Sequence, residues 1–232
     1  MKVGSLFTGI GGLDLGLERA GMDVIWQCES DPFRHAVLER HWPGVLRYSD
    51  VREVGAGSPV PDLICGGFPC QPVSEAGRGQ TEADERWLWP DFARVLSQLR
   101  PRVILVENVP ALLGRGMGEI LGDLSLLGYD TEWQVVSAAS VGAPHLRERI
   151  FLVAYPEGHP LGSGLRPDLQ ARLGWRRPRN FSRPGDTWSA EPDVGRVAHG
   201  LPARLDRLAA LGDAVVPQVA ETLGRWILDG QV

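Results

Sequence analysis

The sequence predicts an α/β protein built on a doubly wound, mostly parallel sheet, and three observations carry that prediction. From residue 3 to residue 154, short apolar runs alternate with stretches of helical periodicity. Two of the runs, Leu63-Ile64-Cys65 and Val103-Ile104-Leu105-Val106, are apolar without a break, as strands of a covered parallel sheet are. The first run passes through Thr8-Gly9-Ile10-Gly11-Gly12 into a helical pattern, the strand, glycine turn and helix order of a ligand-binding α/β unit.

Val3-Gly4-Ser5-Leu6-Phe7 is the first strand. After the glycine turn, Leu13, Leu15, Leu17 and Ala20 space a helix that Gly21 closes. Val24 to Cys28 is the second strand. The next helix runs from Pro32, whose fixed φ suits a first turn, to Trp42. Asp62 to Gly66 is a core strand. Leu88, Phe92, Val95, Leu96 and Leu99 lay an apolar stripe along a helix over 87–99. Val103 to Val106 is a buried strand, Gly118 to Leu127 a helix, and Tyr129 to Ser137 and Ile150 to Ala154 are strands. The pattern breaks at Tyr155-Pro156. From there to about Ala198 the chain is rich in Pro, Gly, Arg and Trp, and an aperiodic stretch of ~40 residues is normally functional or disordered. Periodicity resumes at Leu201, and Val215 to Leu228 reads as a helix with Pro217 near its start. The expected division is therefore a core over 1–154, a small irregular region over 155–199, and a C-terminal segment over 200–232.

With 43% apolar and 23% charged residues in 232, the chain has the balance of a globular protein of one large domain or a domain with a small appendage. Its cysteines, Cys28, Cys65 and Cys70, are odd in number and lack paired spacing, which argues against a disulfide framework or a zinc site and for a reducing cytosol. No signal peptide is expected at Met1-Lys2-Val3, and no apolar run nears the ~18 residues that span a bilayer. The net charge of −5 does not suggest nucleic acid. Between Arg166 and Arg183, however, six arginines face the single acid Asp168. Such a patch serves as a phosphate footprint or, in a chain whose sole lysine is Lys2, reflects an arginine-rich composition.

Three motifs and two single acids carry the chemistry. Phe7-Thr8-Gly9-Ile10-Gly11-Gly12 lets backbone approach a ligand at a helix N-terminus. Glu29 ends the second strand 18 residues after Gly11, where an acid commonly holds ribose hydroxyls, and no Walker lysine is present, so a nucleoside-bearing cofactor is favoured over bare phosphate. Asp50 is either a base-edge contact or a solvated turn acid. Gly66-Gly67-Phe68-Pro69-Cys70-Gln71-Pro72-Val73-Ser74 holds Cys70 in a loop stiffened by prolines, as an aimed nucleophile or as a buried cysteine beside a turn. Glu107-Asn108-Val109 puts a carboxylate at the carboxyl end of a buried strand, where parallel sheets place ligands, although an acid there also serves as a cap or surface residue.

Together with Arg147-Glu148-Arg149 and Gly212-Asp213-Ala214-Val215-Val216-Pro217, these motifs stand in the order and spacing of the DNA (cytosine-5) methyltransferases, which the chain resembles over about residues 3–154 and 195–228. The resemblance implies a seven-stranded Rossmann-like methyltransferase sheet, a small target-recognition region over 155–199, and S-adenosylmethionine as methyl donor. It implies that Cys70 is the nucleophile, that Glu107 holds cytosine nitrogen 3, and that Arg149, with Arg147 in the same motif, stabilises the adduct. Phe7, Gly9, Gly11 and Leu13 would flank the methionine side of the cofactor, Glu29 the ribose, and Asp50 with Val51 the adenine. Gly12, Ser30, Pro69, Asp213 and Ala214 complete the implied cofactor set. Gln71, Ser74 and Arg78, in a loop over 71–86 that would close on a flipped base, are implied DNA contacts. So are Arg176, Arg177 and Arg179 of the recognition region, beside Trp175 and Trp188.

The implied partner is double-stranded DNA, with no membrane and no metal. A monomer is expected, with a restriction endonuclease as a candidate companion, in the cytoplasm of a bacterial or phage-infected cell. The chain departs from the family pattern at Asp213, where Asn is usual, at Val73 for Phe and at His145 for Gln. Two other readings stay open: methylation of cytosine in tRNA by the same core, and a catalytically silent DNA-binding relative.

Overall fold

The computed structural model describes residues 1–69, 87–158 and 204–230. Seven strands form one sheet: β1 (Lys2–Leu6), β2 (Asp23–Cys28), β3 (Leu46–Tyr48), β4 (Leu63–Gly66), β5 (Val103–Asn108), β6 (Tyr129–Ser137) and β7 (Glu148–Pro156). They lie in the order β3-β2-β1-β4-β5-β7-β6. All pairs from β3 to β5 are parallel, and β7 is antiparallel to both of its neighbours. The helices are α1 (Gly12–Ala20), α2 (Pro32–His41), α3 (Trp89–Leu99), α4 (Met117–Leu126), α5 (Arg204–Asp213) and α6 (Pro217–Asp229). The doubly wound, mostly parallel, Rossmann-like sheet is thus as expected. β3, only three residues long, has no alternation that could mark it in the sequence.

Side-chain parity divides the core into two layers. Leu63 of β4, Val103 and Leu105 of β5 and Phe151 and Val153 of β7 face α1 and α6, while Ile64, Ile104, Val106, Ile150 and Leu152 face α3 and α4. Parity switches once, in β2. Val24 joins the α1/α6 layer and Trp26 the opposite one, because the β1–β2 register slips by one residue between Val3 and Gly4. Gly4 makes room for Trp26, whose ring lies 2.1 Å from where a Cβ on Gly4 would stand.

α6 packs directly on α1. A Cβ on Gly16 would lie 2.4 Å from the Ala220 Cβ and from the Pro217 carbonyl oxygen. Gly16→Ala is therefore expected to push α6 outward and cost about 2 kcal/mol, read as a lower denaturant midpoint at unchanged slope. An unshifted midpoint would show that the two helices part freely. No helix among the described residues is long and apolar enough to cross a membrane.

Candidate active site

A cavity of about 560 Å³ opens at the carboxyl ends of β1, β2, β4 and β5. β1 and β4 are neighbours at the point where the strand order reverses, which is where open α/β sheets bind ligands. Its walls include Phe7, Gly9, Gly12, Leu13, Glu29, Ser30, Asp50, Val51, Pro69, Glu107, Arg149, Asp213 and Ala214. The fold therefore collects thirteen of the sequence-derived candidates around one space.

The glycine-turn side is held by backbone. Gly11 enters α1 with φ 82°, and α1 has no side-chain cap, so its first amides are left to the cavity. Gly11 itself lies behind the wall, close against the Trp42 ring. Glu29 Oε2 accepts from the Gly9 amide at 2.7 Å and Oε1 from the Asp31 amide at 2.8 Å, which fixes the carboxylate beside the glycine turn. Asp50 caps the short turn Val51–Glu53, accepting from the Arg52 amide at 2.9 Å. Arg94 of α3 holds that turn from behind, donating to the Val51 and Val54 carbonyls.

The space, and the excess of acids over cations on its wall, suit a positively charged ligand. A Cβ on Gly9 would meet nothing within 4 Å, so the loop faces open space. Among the described residues no group of three or more His, Cys, Asp or Glu could hold a metal ion.

Glu107 stands on the other side. It ends β5 and is 7% exposed. Burial pushes its carboxyl up to about 7, against the pull of Arg149 and Arg147. Arg149 Nε lies 3.1 Å from Oε1, yet Oε1 accepts no hydrogen bond, so the two are paired by charge and the oxygen is left for another donor or acceptor. Asn108 ties the next loop to β5: its Nδ2 donates to the Phe68 carbonyl at 3.3 Å and its Oδ1 accepts from the Val109 amide. A Cβ on Gly67 would stand 2.6 Å from Glu107 Oε2. Gly67→Ala is expected to displace the carboxylate and lower kcat by up to about 10²-fold, the loss that a 1 Å misplacement can bring. A wild-type kcat in a well-folded variant would show that Glu107 tolerates the shift.

Arg147 is placed differently from Arg149. It does not line the cavity; its Nη2 donates to the Gly212 and Ala214 carbonyls at 2.6 and 2.7 Å and so clamps the segment before α6 to β7. Cys70, Gln71, Ser74 and Arg78 lie outside the described residues, as do Arg176, Arg177, Arg179, Trp175 and Trp188. Pro69, the chain neighbour of Cys70, is on the cavity wall. Cys28 and Cys65 are buried; burial pushes the Cys28 thiol up to about 12 and raises Cys65 too, so neither is a ready nucleophile. Arg34, Asn108 and Gly67 on the wall, and Arg94 behind it, are among the residues to which sequence reading gives no role. Of these, Asn108 and Gly67 sit within a motif that could have drawn attention to them.

Residues 1–172 match the family described as C-5 cytosine-specific DNA methylase. Type II methyltransferase M2.BsuMI of Bacillus subtilis (strain 168) is 39% identical over 163 residues, covering 66% of this chain and 42% of that protein. Type II methyltransferase M.DsaV of Dactylococcopsis salina is 36% identical over 163 residues, covering 68% of this chain and 46% of its own length. The chain spans about half the length of the curated relatives it matches. The solved structure of the Entamoeba histolytica methyltransferase EhMeth superposes with a TM-score of 0.60 at 20% identity, covering 68% of this chain and 54% of that one, a likeness of fold alone. By the match of its first 172 residues, the chain belongs to the C-5 cytosine-specific DNA methylase family.

Proposed function

We propose that this chain transfers a methyl group from S-adenosylmethionine to carbon 5 of a cytosine in a specific duplex DNA sequence. The observation that carries the reading is Glu107: a buried carboxyl pushed up to about 7, beside Arg149 and on the same cavity as the glycine turn. The target base leaves the duplex at a cost of a few kcal/mol. The Cys70 thiolate adds to carbon 6, and the electron pair of the 5,6 double bond moves into the ring. Glu107 gives its proton to nitrogen 3, which keeps charge from building on the ring, and Arg149 stabilises the adduct. S-adenosylmethionine supplies the methyl group as a sulfonium, a good electrophile toward the enamine carbon 5. A base, water in the simplest case, takes the carbon 5 proton, the 5,6 double bond re-forms as the Cys70 thiolate leaves, and nitrogen 3 returns its proton to Glu107; S-adenosylhomocysteine is the other product.

Glu29, Asp50 and Val51 hold the nucleoside of the cofactor, and the glycine turn with α1 its amino-acid end. Arg147 acts as a positioning residue through Gly212 and Ala214 rather than on the base. The region over 155–199, with Arg176, Arg177 and Arg179, reads the target, and Gln71, Ser74 and Arg78 close on the flipped base. A bacterial or phage restriction-modification setting fits the curated relatives, with a restriction endonuclease as companion.

Bisulfite sequencing of DNA from cells expressing the chain tests the reading. Protected cytosines at one recurring sequence are the expected result. Unprotected DNA together with methyl transfer confined to RNA in vitro would replace DNA by RNA as substrate. No transfer to either would favour a silent DNA-binding relative.

A further inference from the structure

Arg34 belongs to none of the sequence motifs. It sits in the first turn of α2, where its amide donates to the cap residue Asp31 at 3.0 Å. Its side chain reaches over the cavity to Asp213, a residue 179 positions away, with Nη2 at 2.5 Å from Oδ2. Both residues line the cavity, Arg34 the more sunken at 22% side-chain exposure and Asp213 on the rim at 65%.

The charges on the wall give this pair its meaning. The acids are Glu29, Asp31, Asp50, Glu107 and Asp213, and the cations are Arg34, Arg52 and Arg149. Arg149 faces Glu107, and Arg52 turns to Asp50 at 3.5 Å with 71% of its side chain exposed. A ligand bearing a carboxylate would be repelled along most of this wall. The donors left for it are the uncapped N-terminus of α1 and, beside it, the guanidinium N–H groups of Arg34 that Asp213 does not engage. The segment that carries Asp213 runs past that same N-terminus, since the Val215 carbonyl oxygen is 2.4 Å from where a Cβ on Gly12 would stand. Arg34, Asp213 and the α1 amides thus surround one corner of the cavity.

We infer that Arg34 is the carboxylate-binding residue of the cavity and holds the amino-acid end of the methyl donor, with Asp213 as the matching site for the α-ammonium. This rests on the S-adenosylmethionine reading above and deepens it. A guanidinium has five N–H donors in a planar fork, and Asp213 engages one nitrogen. Arg34 can therefore keep its partner and still bind a carboxylate side-on. The zwitterion meets an ion pair of opposite sense, so binding adds no net charge to this corner. Asp213, an unusual residue at its position by the resemblance, is then no defect. Its charge is balanced by Arg34, and the two act as one unit.

Calorimetric binding of two ligands to the full chain tests this without turnover. S-adenosylhomocysteine carries the amino-acid end; 5′-methylthioadenosine has the same nucleoside thioether without it. Arg34→Ala is expected to weaken S-adenosylhomocysteine by about tenfold to a hundredfold, the worth of a hydrogen bond to a charged group, and to leave 5′-methylthioadenosine unchanged. Arg34→Lys keeps the charge but not the fork, and is expected to lose a smaller part of the same selectivity; it carries the test if the alanine variant does not fold. Equal weakening of both ligands would mean that Arg34 only supports the fold, and no weakening of either would mean that it does not touch the ligand; each result overturns the inference alone. Binding of neither ligand by the wild-type chain would overturn the cofactor reading with it.

Discussion

Glu107→Gln is expected to lower kcat by about 10³-fold, within the range that positioned proton donors contribute. Glutamine fills the same space and can still accept or donate a hydrogen bond, but it has no proton to give to nitrogen 3. The pH profile separates this loss from misfolding. Burial raises the Glu107 carboxyl to about 7, so its acid form is abundant below that pH and lost above it. Wild-type kcat/KM should therefore fall as pH rises through about 7. In Glu107→Gln this fall disappears. A variant that keeps the fall at reduced height would assign it elsewhere and remove Glu107 from the proton step. Cofactor binding should be unchanged, since Glu107 sits across the cavity from Glu29 and Asp50.

What the sequence reveals follows from where each element is buried. β4 and β5 are covered on both faces, so every residue is buried and the apolar runs stand out. β7 is nine residues long, but only its inner stretch is apolar, and the expected strand Ile150–Ala154 is correspondingly short. α2 buries only Leu38, so its signal comes from Asp31 and Pro32 at its start rather than from an apolar stripe. In the site, the glycine turn, Glu29 and Glu107 are visible because each sits at a strand end that local pattern defines. The Arg34–Asp213 pair is invisible because it joins α2 to the far end of the chain. The clamp by Arg147 is invisible for a different reason: its acceptors are backbone carbonyls, which leave no mark on the sequence. Arg149 reaches Glu107 through the antiparallel β5–β7 pairing, in which Asn108 faces Ile150, a register that motif order alone does not supply.

The helical spacing of Leu13, Leu15 and Leu17 hides a polar residue at the heart of the molecule, and it leads to the largest expected change in stability. Asp14 is fully buried on the inner face of α1. Its Oδ1 accepts from Ser5 Oγ at 2.6 Å and its Oδ2 from Gln27 Nε2 at 2.7 Å, while Gln27 Oε1 has no partner. Burial raises the Asp14 carboxyl from its ordinary 3.8 to about 6, more than these two donors lower it. Between those values the folded chain holds the proton and the unfolded chain does not, so this group makes stability fall as pH rises from about 4 to about 6. At roughly 1.4 kcal/mol per pH unit, the charged form costs on the order of 3 kcal/mol above that window. Asp14→Asn removes the charge and keeps the shape. The new amide can take the Ser5 hydroxyl on its oxygen and, once the Gln27 amide turns over, donate to the oxygen that now lacks a partner. The variant is therefore expected to melt about 6–12 °C higher than wild type at pH 8, with the gap closing as pH falls toward 4. Taking the difference between the two melting curves cancels Glu107, which titrates in the same direction. A lower melting temperature for Asp14→Asn at pH 8 would mean that the two hydrogen bonds to the carboxylate outweigh the cost of burying it.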